Sequence, residues 1–300
     1  LELSEASGKP DAERRRKFAE TSGMKTLKSD IDRLGTRSTD TTSEFHGRLT
    51  NLYLDLLEQT LTGAILEDVG FIAGPNNPNP VHADRYDERA RLIGIDWPSR
   101  AHTMVGLTRL RSLRRQVAQV LEDNVPGDFI ETGVWRGGAS IYMRALLAAH
   151  GIDDRRVWVA DSFAGLPPPN SAEFPADAGD ELYKISVLSA SLDEVKKNFA
   201  KYGMLDAQVE FLPGWFKDTL PRAPIDRLAI LRLDGDLYES TIQALTSLYD
   251  KLSPGGFAIV DDFVLPGCRQ AIHDFRAERR ILDPLIDIDG TASFWRKSGA

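Results

Sequence analysis

The stretch Leu231-Arg232-Leu233-Asp234-Gly235-Asp236-Leu237-Tyr238 passes from an apolar run straight into carboxylates, and Ala258-Ile259-Val260-Asp261-Asp262-Phe263 repeats the pattern. Each apolar run has the length and composition of a buried strand. A core strand gains nothing from ending in clustered Asp, because a desolvated charge is costly unless it is paired or bound to a cation. Asp234 and Asp261 are 27 positions apart, room for one helical crossover between parallel strands. The two carboxylates therefore converge from neighbouring strand ends. A solvated turn or a helix cap would account for any one of these residues; the whole set points to something positive held there.

Outward from this pair, the same strand and helix signals alternate. Strands are predicted at 128–131, 156–160, 209–212, 228–233 and 257–260, with a terminal hairpin from 285–288 and 293–297. Helices are predicted at 138–149, 215–220, 241–252 and 268–280. Another runs from the capping box Ser191-Leu192-Asp193-Glu194 to about Tyr202. Ser253-Pro254-Gly255-Gly256 reads as a tight turn, and the long Pro-, Ala- and Asp-containing segment 164–187 as a loop suited to a lid. This order predicts an α/β fold: an open, mostly parallel seven-stranded sheet with helices on both faces.

Upstream, leucines 54, 57 and 61, with Leu56 and Ile65, form a helical apolar stripe. Further helices are expected at 84–93 and 103–121, separated by Trp97-Pro98, and Pro75 to Pro80 is expected to be a loop. The organisation expected is a polar arm over 1–48, a helical cap over 49–125 and a core over 126–300. The arm's Arg14-Arg15-Arg16-Lys17 cluster, surrounded by acidic residues, reads as solvated chain rather than a nucleic-acid or membrane patch.

An apolar content of 42% and a charged content of 27% are those of a soluble globular protein. The net charge of −8 argues against a nucleic-acid partner. The single cysteine, Cys268, rules out an internal disulfide, and no apolar run is long enough to span a membrane. The expectation is a cytoplasmic protein with a small-molecule substrate. The five histidines lack metal-ligand spacing.

In such a sheet the ligand lies outside the carboxyl ends of the strands. The first core strand ends Phe129-Ile130-Glu131-Thr132-Gly133-Val134-Trp135-Arg136-Gly137-Gly138, a glycine turn that is not the dinucleotide G-x-G-x-x-G. Glu131 beside that turn is wrong for a pyrophosphate and suits a cofactor carrying an ammonium and a sulfonium. Asp161 ends the second strand, placed for the hydroxyls of an adenosine ribose or, alternatively, as a cap. Together they indicate S-adenosylmethionine rather than a nicotinamide cofactor. Trp215 would lie against an adenine or anchor the core. Oxygen-only ligands favour a hard cation, Mg2+ above all. In an extended segment Asp236 faces the same way as Asp234, within reach of a substrate hydroxyl.

These motifs, with Leu52-Tyr53-Leu54-Asp55-Leu56-Leu57, Ala101-His102-Thr103-Met104, Trp158-Val159-Ala160-Asp161-Ser162-Phe163, Phe211-Leu212-Pro213-Gly214-Trp215-Phe216-Lys217-Asp218-Thr219 and Leu252-Ser253-Pro254-Gly255-Gly256-Phe257, resemble the macrocin O-methyltransferase family from about Leu52 to Arg296. The resemblance implies a Rossmann-like class I methyltransferase fold. It further implies S-adenosylmethionine- and Mg2+-dependent methylation of a sugar hydroxyl on a macrolide- or aminocoumarin-type glycoside, with a catechol or other phenol as the alternative acceptor. Asp234, Asp261 and Asp262 would be the metal ligands and Asp236 the general base, with Asp234 also catalytic. Met104, Glu131, Thr132, Gly133, Ser140, Asp161, Ser162, Gly214, Trp215 and Asp234 would form the cofactor site. His102 would shape that pocket or serve as a structural hydrogen bond. The helix near Tyr53 and the loop 164–187 would close over the substrate, and a homodimer is implied.

Overall fold

From Asp128 onward the apolar runs pair as five parallel strands. The computed structural model describes residues 44–74 and 77–299, so residues 1–43 of the expected arm lie outside it. The chain divides into one unit ending at Tyr53 and another from Leu54 onward. Helix α1 covers residues 44–61. Within the second unit its Leu54, Leu57 and Leu61 are buried, whereas Leu56 and Ile65 of the expected stripe are exposed.

The sheet contains β4 (Asp128–Thr132), β5 (Val157–Asp161), β6 (Val209–Pro213), β7 (Leu228–Leu233), β8 (Leu252–Val260), β9 (Ile286–Asp287) and β10 (Ser293–Arg296), in the order β6-β5-β4-β7-β8-β10-β9. The pairs from β6 to β8 are parallel, and β10 is antiparallel to both β8 and β9. The intervening helices are α4 (Gly138–Ala149), α5 (Leu192–Lys201), α6 (Phe216–Thr219), α7 (Tyr238–Leu248) and α8 (Pro266–Glu278). Side chains alternate across the strands into two cores. Phe129, Val157 and Val159 pack with α4, and Ile130, Trp158 and Ala160 share the other core with Ala244 and Leu245 of α7 and Ile272 of α8. Ala229 and Ile230 both enter the first core because the β4–β7 and β7–β8 registers shift there. Ser191 caps α5 by accepting the Glu194 amide at 3.2 Å, as the capping box predicts.

Two expectations are corrected. The region before β4 is not wholly helical: β1 (Gly70–Gly74), β2 (Asn77–His82) and β3 (Trp97–Pro98) form an antiparallel sheet with β2 at its edge. Residues 77–80, expected as loop, are therefore strand; Pro78 and Pro80 lack an N–H, which only an edge strand tolerates. Helices α2 (Glu88–Ile93) and α3 (Leu107–Glu122) start later than expected. The second correction is β8, which begins at Leu252, so Ser253 to Gly256 belong to the strand rather than to a turn. A bulge with Gly255 at φ 86° absorbs the turn-forming residues.

Candidate active site

The chain runs β4, β5, β6 outward to one side and β7, β8 to the other, so the sheet's switch point lies between β4 and β7. Over their carboxyl ends opens a cavity of about 560 Å³. Gly133 sits at φ 90°, and a Cβ there would lie 1.6 Å from the Asp234 carbonyl oxygen, so the close approach of the two strand ends requires glycine. Gly137, at φ 87°, precedes α4, whose first amides have no side-chain cap.

Asp161 fixes this turn. One carboxylate oxygen accepts the Val134 amide and the other the Phe163 amide, each at 2.7 Å. Burial pushes its carboxyl up, against the pull of those amides. The Ser162 hydroxyl donates to the Gly165 carbonyl at 2.7 Å, holding the start of the following loop. Gly214 donates its amide to the Asp161 carbonyl at 2.9 Å, which brings the end of β6 alongside.

On the other side, Asp234, Asp261 and Asp262 each offer an oxygen within 4.8 Å of the others. Asp236 stands beside them in the left-handed region at φ 60°, and its amide donates to Asp262 at 3.0 Å. The convergence of Asp234 and Asp236 thus comes from a turn beyond β7, not from the strand alternation expected. Asp is among the few side chains that accept this backbone geometry.

Of the residues expected at the cofactor site, Met104, Gly133, Asp161, Ser162, Trp215 and Asp234 line the cavity, as do Asp236, Asp261 and Asp262. Trp215 is 39% exposed and is a wall rather than a core anchor. Glu131, Thr132, Ser140 and Gly214 are not on the wall. The Glu131 carboxylate faces the sheet interior, accepting from the Ser140 hydroxyl and pairing with Arg232 at 2.5 Å. Thr132 bonds the Arg232 carbonyl at 3.3 Å.

Arg232 carried no assigned role from sequence, yet it is the hub of the site. Its guanidinium, 2% exposed, reaches Glu131 and Asp234 at 2.5 Å each and also binds Asp261. Arg109 of α3 binds the other Asp261 oxygen and donates to the Gly94 carbonyl at 2.7 Å. Its Nε stands 3.1 Å from Asp289 in an ion pair without hydrogen-bond alignment. An arginine interrupting an apolar strand two residues before an Asp was the available signal for Arg232; Arg109 and Asp289 had none.

Negative charge remains in excess. Burial first, and then Asp234, push the Asp236 carboxyl up to about 8. Burial and Asp261 push Asp234 to about 6, and burial and Asp236 raise Asp262 strongly. A set of hard oxygen donors crowded enough to resist ionisation fits a small divalent cation.

His102 does not line this cavity. Its Nδ1 is 2.8 Å from the Tyr202 hydroxyl, and its carbonyl accepts the Gly138 amide at 2.8 Å, buttressing the start of α4. Burial, then Lys201 and Arg136, lower its pKa from the ordinary 6.5 to about 4. Between those values the unfolded chain binds the proton more readily, so stability is full above about pH 6.5 and declines as pH falls toward 4. Melting points of His102→Gln measured from pH 4 to 7 are expected to show a shallower acid decline than the parent; parallel curves would remove His102 as a contributor.

Sheet order, glycine turn and acid-lined cavity together define a class I methyltransferase. The chain belongs to the macrocin-O-methyltransferase (TylF) family, which matches residues 50–297. It is 53% identical over 251 residues to the 8-demethyl-8-(2,3-dimethoxy-alpha-L-rhamnosyl)-tetracenomycin-C 4'-O-methyltransferase of Streptomyces olivaceus, covering 83% of this chain and 94% of that protein. It is 48% identical over 250 residues to the mycinamicin III 3''-O-methyltransferase of Micromonospora griseorubida, covering 82% and 96%. The solved O-methyltransferase NovP aligns with a TM-score of 0.77 at 49% identity, covering 83% of this chain and 100% of that one. The chain is an O-methyltransferase. Among the described residues no helix is long and apolar enough to cross a membrane.

Proposed function

We propose that the protein methylates a sugar hydroxyl of a glycosylated natural product, using S-adenosylmethionine and Mg2+. The observation that carries this reading is the set of three converging carboxylates with a fourth, Asp236, beside them in a cavity whose other end is a glycine turn. The tetracenomycin relative, whose acceptor carries a dimethoxy-rhamnosyl group, supports the sugar as acceptor.

When bound, the cofactor provides the electrophilic methyl and the cation stabilises the developing alkoxide. Gly133, Asp161, Ser162, Met104 and Trp215 would hold the cofactor, and Asp234, Asp261 and Asp262 the cation. Asp236 takes the proton from the attacking hydroxyl, as general base. Arg232 and Arg109 fix the Asp234 and Asp261 carboxylates in place before any ligand arrives. Leu166, Pro167, Pro168, Leu182 and Leu188 roof the cavity, limiting water around the nucleophile, and alignment of oxygen with methyl supplies much of the acceleration.

The test is methyl transfer from labelled S-adenosylmethionine to a panel of glycosides and catechols, with and without chelator. Glycosides should be methylated, with turnover falling about 100-fold or more in chelator and returning with added Mg2+. Methylation of catechols alone would sink the sugar reading, and full activity in chelator would remove the cation. The proposal extends to a cytoplasmic homodimer, for which exposed Leu66, Ile72 and Val81 offer apolar surface. Sedimentation at the mass of one chain would count against the dimer.

A further inference from the structure

We propose that Asp177, in the middle of the loop between β5 and α5, is a positioning residue that clamps the cavity roof to the segment carrying Asp234 and Asp236. The inference rests on the methyltransferase reading above for its kinetic consequence, though not for its structural one.

Asp177 is 3% exposed although it lies in a surface connection. Its two carboxylate oxygens accept the Tyr238 amide at 2.6 Å and the Glu239 amide at 3.0 Å. These are the first amides of α7, whose own N-cap, Leu237, offers no side-chain acceptor. A buried helix end needs such partners, and here a loop 61 residues away provides them. An anion at a helix N-terminus is also favoured by the helix dipole. The opposing wall is shaped to admit the carboxylate: a Cβ on Gly267, in the first turn of α8, would lie 2.7 Å from the Asp177 oxygen. Phe174 adds a ring contact with Tyr238 at 6.0 Å.

The position of this contact gives it a role beyond capping. Helix α7 begins two residues after Asp236, and its Glu239, Ser240 and Gln243 line the cavity. Both ends of the loop are tethered elsewhere, over the cofactor half. Ser162 holds Gly165, and Trp135 donates its indole N–H to the Val187 carbonyl at 2.7 Å. Between the tethers the loop contributes Leu166, Asn170 and Leu182 to the roof. Among the described residues Asp177 alone supplies charged hydrogen bonds from this loop to the β7 side, where the acceptor must meet Asp236. Releasing it should free the roof over the acceptor and leave the cofactor half fixed.

The test compares Asp177→Ala and Asp177→Asn with the parent chain. With S-adenosylhomocysteine present, hydrogen exchange at amides 178–189 should accelerate roughly tenfold or more in Asp177→Ala, with Asp177→Asn intermediate. A residue that only capped α7 would change exchange in the first turn of that helix and leave the loop as protected as before; that result overturns the proposal. Using the rhamnosyl tetracenomycin acceptor of the relative, KM for acceptor should rise roughly tenfold, with kcat within about threefold and S-adenosylhomocysteine affinity within about twofold. An unchanged acceptor KM, or an equal loss of cofactor affinity, also overturns it. If the parent chain does not methylate that glycoside, the substrate reading is what fails, and the exchange comparison still decides the role of Asp177.

Discussion

Asp236→Asn is expected to lose about 100- to 10,000-fold in turnover while binding S-adenosylhomocysteine and a divalent cation as the parent does. The substitution keeps the shape of the side chain and removes only its ability to take a proton. Asn tolerates the left-handed backbone found at φ 60°, and the bond from the residue 236 amide to Asp262 does not involve the side chain. The turn that brings the two halves of the site together should therefore survive. Among the described residues Asp236 and Asp262 are the carboxylates of this set without a guanidinium partner: Arg232 reaches Asp234 and Asp261, and Arg109 reaches Asp261. Burial and then Asp234 raise the proton affinity of Asp236, as burial and neighbouring carboxylates also raise those of Asp234 and Asp262. Isothermal titration with S-adenosylhomocysteine and with Mg2+, alongside single-turnover methyl transfer, separates the outcomes. Turnover within threefold of the parent removes Asp236 as the base; loss of Mg2+ binding reassigns it to the cation cradle.

The difference between residues legible in the sequence and residues that were not has a physical basis. Asp234, Asp236, Asp261 and Asp262 announce themselves because charged residues abruptly end strands that are otherwise apolar, a local contrast visible along the chain. The glycine turn at Gly133 is visible for the same reason. Arg232 sits in the very stretch that fixes the fold, yet its meaning depends on Glu131 from β4 and Asp261 from β8, contacts that no local pattern encodes. Glu131 shows the converse. Its position beside the glycine turn suggested a ligand for the cofactor, but strand alternation turns it inward to Arg232 and Ser140. Asp177 was hidden in a segment rich in Pro, Ala and Asp, where one more acidic residue carries no signal until α7 is seen to lack a cap of its own. The sheet formed by β1, β2 and β3 was missed because Pro78 and Pro80 read as breakers, and edge position is a tertiary property.

Arg232→Met should destabilise the protein by about 3–5 kcal/mol, lowering the melting point by roughly 10 °C. Methionine fills much of the space of the arginine stem, so the loss is chiefly one of charge and hydrogen bonds. Removing the guanidinium leaves Glu131 and Asp234 without their cation, while Asp261 keeps Arg109. Glu131 is the costlier of the two, since it is 1% exposed and retains only the Ser140 hydroxyl. Arg232→Lys should fall between parent and Met, because one ammonium cannot reproduce the planar fork that reaches three carboxylates. If unpaired Glu131 is the main cost, Glu131→Gln in the Met background should recover part of the loss. The double variant should then be more stable than the sum of the singles predicts, by about 1–3 kcal/mol. Urea unfolding of the four proteins measures this coupling. Additive effects would mean that Arg232 stabilises the fold through Asp234 and Asp261 instead, making it a counter-ion of the cation cradle rather than of the sheet beneath.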